Sequence, residues 1–220
     1  MSKNAITWIR EDFRIENNPA LSYATQNHER VLALYIYNKN DFDAKREAQK
    51  WWLSKSLEIF KSELSKFKIN LQILAGDELD IFSKINKKDN ISIYWNKIYE
   101  PDVIAKGKKI RDIFVKNEIN YKYFKGNILN EFQKITKSDG TPFKVFTPFW
   151  RNAEQVYLNQ APSKNYIVKK KTKKITYFKK CIEPMDILPK KNWYKKFEKY
   201  WKVSENDSKK ILKNLIENKI

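Results

Sequence analysis

The stretch ITWIREDFRIENNPAL, residues 6–21, sets out the fold in miniature. Ile6–Ile9 is biased to apolar residues and reads as the end of a strand. Charge follows at once in Arg10, Glu11, Asp12 and Arg14. Asn17-Asn18-Pro19 then turns the chain and starts a helix, with proline at its first position, where a missing N–H costs nothing. Strand, loop and helix make one α/β unit. The loop has no glycine, so it is neither the G-x-G-x-x-G turn of a dinucleotide site nor a P-loop. The four glycines of the chain, Gly76, Gly107, Gly126 and Gly140, all lie elsewhere.

The same alternation continues outward. Ala5–Ile9, VLALYIY (31–37), LQILA (71–75), ISIYW (91–95) and the short YKYF (121–124) read as strands. Between them, helices are expected from Pro19 through Thr25, over 45–67, after Asp77, and over 102–117; a further one starts near Thr147-Pro148. In 45–67, Trp52, Leu53, Leu57, Phe60, Leu64 and Phe67 recur at three- and four-residue spacing. Central strands without polar alternation belong to sheets covered on both faces. The expected fold is α/β: a five-stranded parallel Rossmann-like sheet with helices on both faces, an extended connector, and short C-terminal helices. The division is 1–155, then connector 156–192, then 193–220. In the last part Trp193, Phe197 and Trp201 lie four apart. A final helix, capped by Asn206 or Asp207, carries the apolar stripe Ile211, Leu212, Leu215 and Ile216 with nothing in the remaining sequence to cover it.

Composition narrows the function. The 220 residues carry a net charge of +19, concentrated late: residues 164–220 hold 18 Lys against 6 Asp and Glu. That surplus suits a polyanion such as nucleic acid, and equally a solvated face in a chain rich in Lys, Asn and Ile. One Cys (Cys181) and one His (His28) make neither a disulfide nor a zinc site. His28, in the polar segment TQNHER, is read as a surface residue and not as a catalytic base. No apolar run is long enough to span a bilayer, and no signal peptide fits the N-terminus. A soluble cytoplasmic protein without metal is expected.

WIREDFRIENNPAL resembles the opening motif of DNA photolyases and cryptochromes, W-F-R-x-D-L-R-x-x-D-N-P-A-L. Arg10, Asp12, Arg14, Asn18, Pro19, Ala20 and Leu21 stand as in the family, and Asn17 replaces the customary Asp. VLALYIYN, KWWLSKSLEIFKSEL, LQILAGD, IYWNKIYEPD and FKVFTPFWR resemble five further family segments in the same order. The likeness covers residues 5 to about 155 firmly and the tail more loosely. It implies the N-terminal photoantenna domain of a class I-like deoxyribodipyrimidine photo-lyase, a flavoprotein lyase of DNA repair. Such enzymes mend cyclobutane pyrimidine dimers in damaged DNA with FAD and blue light. The family's FAD and lesion pockets lie in a helical C-terminal domain. None of their residues has a counterpart here, so FAD belongs to the full-length context and the chain alone is expected to be inactive.

The resemblance also places an antenna pocket at the carboxyl ends of the strands, with the candidate residues Arg10, Tyr37, Asn38, Lys45, Trp51, Trp95, Asn96, Ile98, Glu100 and Lys106. The pigment implied is a folate or a flavin or deazaflavin. Folate-binding members carry Asn-Glu where this chain has Asp102-Val103. Deazaflavin-type members have Asp where Asn38 and Ile98 stand. Neither pattern is complete, and an empty site is compatible with both departures. The implied partners are the helical FAD-binding domain and DNA, with no membrane. Two other readings stay open: a cryptochrome-like blue-light signalling module, and a basic nucleic-acid-binding protein acting through 164–220. Arg10, Asp12 and Arg14 also admit a structural reading, as a buried ion-pair knot. A nucleotidyl-transferring ligase would need S-G-G-x-D-S or H-x-G-H after the first strand, and neither is present.

Overall fold

A computed structural model describes residues 2–41, 46–159, 166–168 and 170–219. Five strands, β1 (Asn4–Ile9), β2 (Arg30–Tyr37), β3 (Asn70–Ala75), β4 (Ile91–Asn96) and β5 (Asn120–Phe124), form one sheet in the order β3-β2-β1-β4-β5. Every neighbouring pair is parallel, with Ile6 of β1 opposite Leu32 of β2 and Ile93 of β4. Among the described residues six α-helices accompany them: α1 (Pro19–Asn27), α2 (Glu47–Ser65), α3 (Glu78–Ser83), α4 (Pro101–Lys116), α5 (Phe146–Leu158) and α6 (Glu205–Lys219).

Side chains alternate across β1 to β4, and both sets are largely apolar, so these four strands are buried on both faces, while the edge strand β5 is partly exposed. Ala5, Ile9, Val31, Ala33, Leu71 and Ile73 face Leu53, Leu57, Phe60 and Leu64 of α2 in one core. Ile6, Trp8, Leu32, Leu34, Ile93 and Trp95 face Phe82 of α3 and Ile110 and Phe114 of α4 in the other. The tryptophan pair of α2 divides as helical spacing requires: Trp51 is buried, while Trp52 is 42% exposed and meets Trp201 edge-on at 6.0 Å.

The strand order decides where a ligand can sit. From β1 the chain proceeds outward through β2 to β3, then crosses to β4 on the other side of β1. Loops leaving β1 and β4 therefore diverge, opening a crevice at their carboxyl ends.

Residues 172–182 of the connector are fastened to the sheet. Thr172 N–H donates to the Phe67 carbonyl, Lys173 bridges Arg30 beside β2, and Ile182 bridges Ile73 on the β3 edge. Gln72 of β3 accepts from the N–H groups of Tyr177 and Phe178 and donates to the Phe178 carbonyl. Residues Asn192–Lys199 form a 3-10 helix whose Phe197 packs edge-on against Trp51 at 5.7 Å. The cap of α6 is Ser204 instead of Asn206 or Asp207: its hydroxyl accepts from Asp207 N–H at 2.9 Å and donates to the Asp207 carboxylate at 2.6 Å. The helix thus begins earlier, because Ser204 and Asp207 stand three apart, the spacing of reciprocal capping. Its stripe Ile211, Leu212, Leu215 and Ile216 is exposed.

Candidate functional site

The loop after β1 is organised around amides. Arg10 N–H closes a turn on Asp12 Oδ1 at 3.0 Å. Asn18, fully buried, caps α1 by accepting from Leu21 N–H at 3.1 Å. Its Nδ2 reaches back to the Asp12 and Arg14 carbonyls and the Asp12 carboxylate. Asn96, at the end of β4, donates to Asp12 Oδ2 at 2.6 Å and Asn18 Oδ1 at 2.8 Å, and accepts from Ala20 N–H at 3.1 Å. Among the described residues no salt bridge joins Arg10, Asp12 and Arg14, so the expected ion-pair knot is replaced by a carboxylate–amide knot. An amide can donate and accept at once, and so ties three elements together where a guanidinium can only donate.

Arg10 is thereby left to face the crevice. Its guanidinium lies 4.7 Å from the Trp8 ring centre and donates to the Asn96 carbonyl. Burial lowers its pKa from the usual 12.5 to about 10, against the opposing pull of Asp12, Glu11 and Glu78. It remains a cation at neutral pH, stripped of most of its water.

The crevice holds a cavity of about 730 Å³, within the range of small-molecule sites. Trp8 and Arg10 come from β1 and its loop, Arg46 and Gln49 from the start of α2, Glu78 from α3, and Glu100, Asp102 and Lys106 from the start of α4. Lys106 donates to Glu78 at 2.9 Å. Glu100 precedes the first residue of α4, yet its side chain makes no capping bond, so its carboxylate is available to the cavity. A second cavity of about 210 Å³ adjoins the first through Arg10, Val103 and Gly107. Its cations, Arg10, Lys97 and Arg111, sit among Trp95, Tyr99, Tyr123 and Phe132. The two share a wall: the larger mixes the carboxylates Glu11, Glu78, Glu100 and Asp102 with Arg10, Arg46 and Lys106, and the smaller is cationic and aromatic.

Gly107 stands in that wall. A glycine inside a helix costs about 1 kcal/mol relative to alanine. A Cβ here would meet only Arg111 Nη1, at an ordinary 3.6 Å, so packing does not demand glycine. What it provides is bare backbone facing both cavities. Gly126 is different: a Cβ there would lie 2.0 Å from the Lys97 carbonyl oxygen. This close approach lets Gly126 N–H donate to the Tyr99 hydroxyl at 3.1 Å. Tyr99 and Lys97 both donate to Glu131, fixing the loop after β4 and holding the Glu131 carboxyl below its usual pKa.

Of the residues expected at the site, Arg10, Glu100 and Lys106 meet around the larger cavity, and Trp95 and Ile98 line the smaller one. Asn96 is in the buried knot. Tyr37 and Trp51 are buried in the core-facing layers, and Asn38 accepts from Asn40 N–H in the turn after β2. None of these four lines either cavity. Lys45 lies outside the described residues. Trp8, Arg46, Glu78, Lys97, Gly107 and Arg111 were not anticipated. Of these Trp8 and Lys97 stand inside the quoted family segments, and Gly107 left a local signal, a lone glycine within an amphipathic helix.

His28 is a correction: it is 3% exposed, bonded through Nδ1 to the Ser2 carbonyl and through Nε2 to the Tyr94 hydroxyl, both at 2.8 Å. The chain after α1 tucks it beneath the β4 face, so both ring nitrogens are occupied. Among the described residues no group of three His, Cys, Asp or Glu is arranged to hold a metal ion. Likewise no helix there is long and apolar enough to cross a membrane.

Known proteins share this architecture. The deoxyribodipyrimidine photo-lyase of Agrobacterium fabrum is 28% identical over 220 residues, covering 96% of this chain and 44% of the relative. Cryptochrome-2 of Arabidopsis thaliana is 30% identical over 161 residues, 69% of this chain and 25% of the relative. The crystal structure of a bacterial class III photolyase from Agrobacterium tumefaciens matches with a TM-score of 0.83 at 26% identity, covering 99% of this chain and 45% of that one. The chain thus spans less than half the length of these relatives. The DNA photolyase family model matches residues 5–167, and the chain belongs to that family, with the fold of its N-terminal domain.

Proposed function

We propose that these 220 residues serve as the light-harvesting domain of a DNA photolyase, holding an antenna pigment in the groove between the β1 and β4 loops. The observation that carries this reading is the groove itself: a cavity of about 730 Å³ at the switch point of the sheet, lined by a desolvated Arg10 on Trp8 and by bare backbone at Gly107. The donor set suits a planar heterocycle of the folate or flavin class. Glu100 and Asp102 accept from ring N–H groups, while Arg10 and Arg46 receive an acidic substituent. Lys97 and Arg111 offer a second anion subsite beyond Gly107. A bound pigment supplies absorbed light energy; the protein's part is to orient it and exclude water.

The energy acceptor in this reading is FAD in a helical partner domain, and the final substrate is a pyrimidine dimer in DNA. Exposed Phe146, Phe149 and Trp150 on α5, with Ile211 and Leu215 on α6, supply apolar area for such a domain to cover. The likeness to plant cryptochrome-2 supports a second reading, in which the same domain feeds a blue-light sensor without repair.

Titrating the purified chain with a reduced folate, FMN or a deazaflavin, followed by absorption and fluorescence, tests the assignment. One of them is expected to bind with a shifted absorption band, and Arg10→Ala to weaken it at least tenfold. Absence of binding by all three refutes the antenna role. The chain supplied only with FAD, light and irradiated oligonucleotide is expected to leave the dimers unrepaired.

A further inference from the structure

The opposite end of the sheet bears a different surface. At the amino ends of β2 and β3 the backbone path gathers cations from three separate segments. Arg30 opens β2, Lys68 sits in the turn between α2 and β3, and Lys170, Lys171, Lys173 and Lys174 belong to the connector; all six are exposed. Their proximity follows from hydrogen bonds rather than from chain neighbourhood. Lys173 N–H donates to the Glu29 carbonyl and Lys173 bridges Arg30. Thr172 is buried, its N–H donating to the Phe67 carbonyl at 3.0 Å and its hydroxyl reaching the Lys68 carbonyl at 3.3 Å. With Thr172 turned in and Ile175 packed against the core, the intervening lysines are held outward. The carboxylates paired at this end are Glu29, 3.6 Å from Lys173, and Glu63, 2.6 Å from Lys66. Both are partly exposed and cancel only part of the charge.

We propose that this face binds the phosphodiester backbone of duplex DNA without reading its sequence. The chemistry favours that partner over others. Lysine ammonium groups are point charges suited to phosphate contacts that position but do not specify. The large apolar side chains exposed on the described surface lie on α2, α4, α5, α6, β5 and the loops near them, not among these cations. The patch therefore lacks both the aromatic platforms of a single-strand site and the apolar wedge of a bilayer-binding one. It faces away from the groove at the carboxyl ends, so DNA binding here is independent of any pigment.

Fluorescence anisotropy of a short labelled duplex, titrated with the 220-residue chain between about 50 and 200 mM salt, tests the proposal. If about four phosphates are neutralised, log K falls against log salt with a slope near −3.6. Replacing Lys170, Lys171, Lys173 and Lys174 by Ala is expected to make that slope shallower by about 3 and to weaken binding at the lowest salt at least tenfold. The matching replacement of Lys195, Lys196, Lys199 and Lys202 by Ala is expected to leave the slope unchanged. Glu29→Gln gives the opposite sign, tightening binding two- to threefold, a gain that misfolding does not produce. The proposal is overturned by no binding at the lowest salt, by an unchanged slope in the connector variant, or by anionic vesicles or single strands binding as tightly as duplex.

Discussion

The side-chain amide of Asn96 donates to the Asp12 carboxylate across 2.6 Å, and through that bond the end of β4 holds the loop that leaves β1. Asn96 also accepts from Ala20 N–H and donates to Asn18, so its removal strands the buried Ala20 N–H and takes one bond each from Asp12 and Asn18, which keep other partners. The stranded donor costs about 1–3 kcal/mol and each of the two other lost bonds about 1 kcal/mol. Asn96→Ala is therefore expected to lower stability by roughly 2–4 kcal/mol in urea unfolding. Asn96→Asp is expected to be at least as costly, since it places a second carboxylate beside Asp12. A loss below about 0.5 kcal/mol in both variants would mean the knot carries no stability.

Gly107 separates stability from ligand binding. Alanine there improves helix propensity, and its methyl group meets nothing closer than Arg111 at 3.6 Å. Gly107→Ala should stabilise the chain by about 0.5–1 kcal/mol while narrowing the groove. Thermal unfolding and pigment titration on the same sample check both halves. A variant that is more stable and binds pigment as before would remove Gly107 from the site.

The only histidine gives a clean pH signal. Its Nδ1 pairs with the Ser2 carbonyl and therefore carries a hydrogen, and burial favours the neutral ring, in which Nε2 accepts from the Tyr94 hydroxyl. Burial lowers its pKa from 6.5, so below that value the unfolded chain binds a proton that the folded chain resists. Stability from this group is present above pH 6.5 and is lost as the pH falls through it, by up to about 1.4 kcal/mol per pH unit. The urea midpoint should drop between about pH 7.5 and 5.5 in the wild-type chain and change much less in His28→Gln. Equal slopes in the two proteins would contradict the neutral tautomer.

Helix α6 is seated by Glu205 and by the Glu16–Lys209 ion pair. Glu205 accepts from Ile15 N–H at 2.9 Å and Glu16 N–H at 3.3 Å, and Lys209 binds Glu16 at 2.7 Å. Glu205→Ala removes two charge-assisted bonds but no core packing. Amide exchange in 205–219 should accelerate roughly 10- to 100-fold, with the sheet little affected. Unchanged exchange in α6 would show that other contacts seat it.

The sheet was legible because β1 to β4 are buried on both faces, so runs such as VLALYIY announce themselves without alternation. Helices with one apolar stripe, such as α2, were equally plain. Residues whose role depends on distant partners were not. Asn18 reads locally as a cap, but its bond to Asn96 spans 78 residues. His28 sits among polar neighbours in sequence and beneath Tyr94 in space. Trp51 was expected in the pocket because the resemblance places the start of the long helix in its wall, yet the helix turns it inward toward Phe197. Trp8 lies in the opening motif, but only the strand order brings it beside Glu100 and Lys106.

One short loop serves two masters. Arg10 at its beginning faces the groove, and Ile15 and Glu16 near its end receive the start of α6. Resonant transfer between two pigments depends on the angle between their transition dipoles as well as on their separation. Under the proposed antenna role, a donor held by Arg10 and a helix aimed by Ile15 would share one short stretch of backbone, a goniometer whose setting is locked by Asn96.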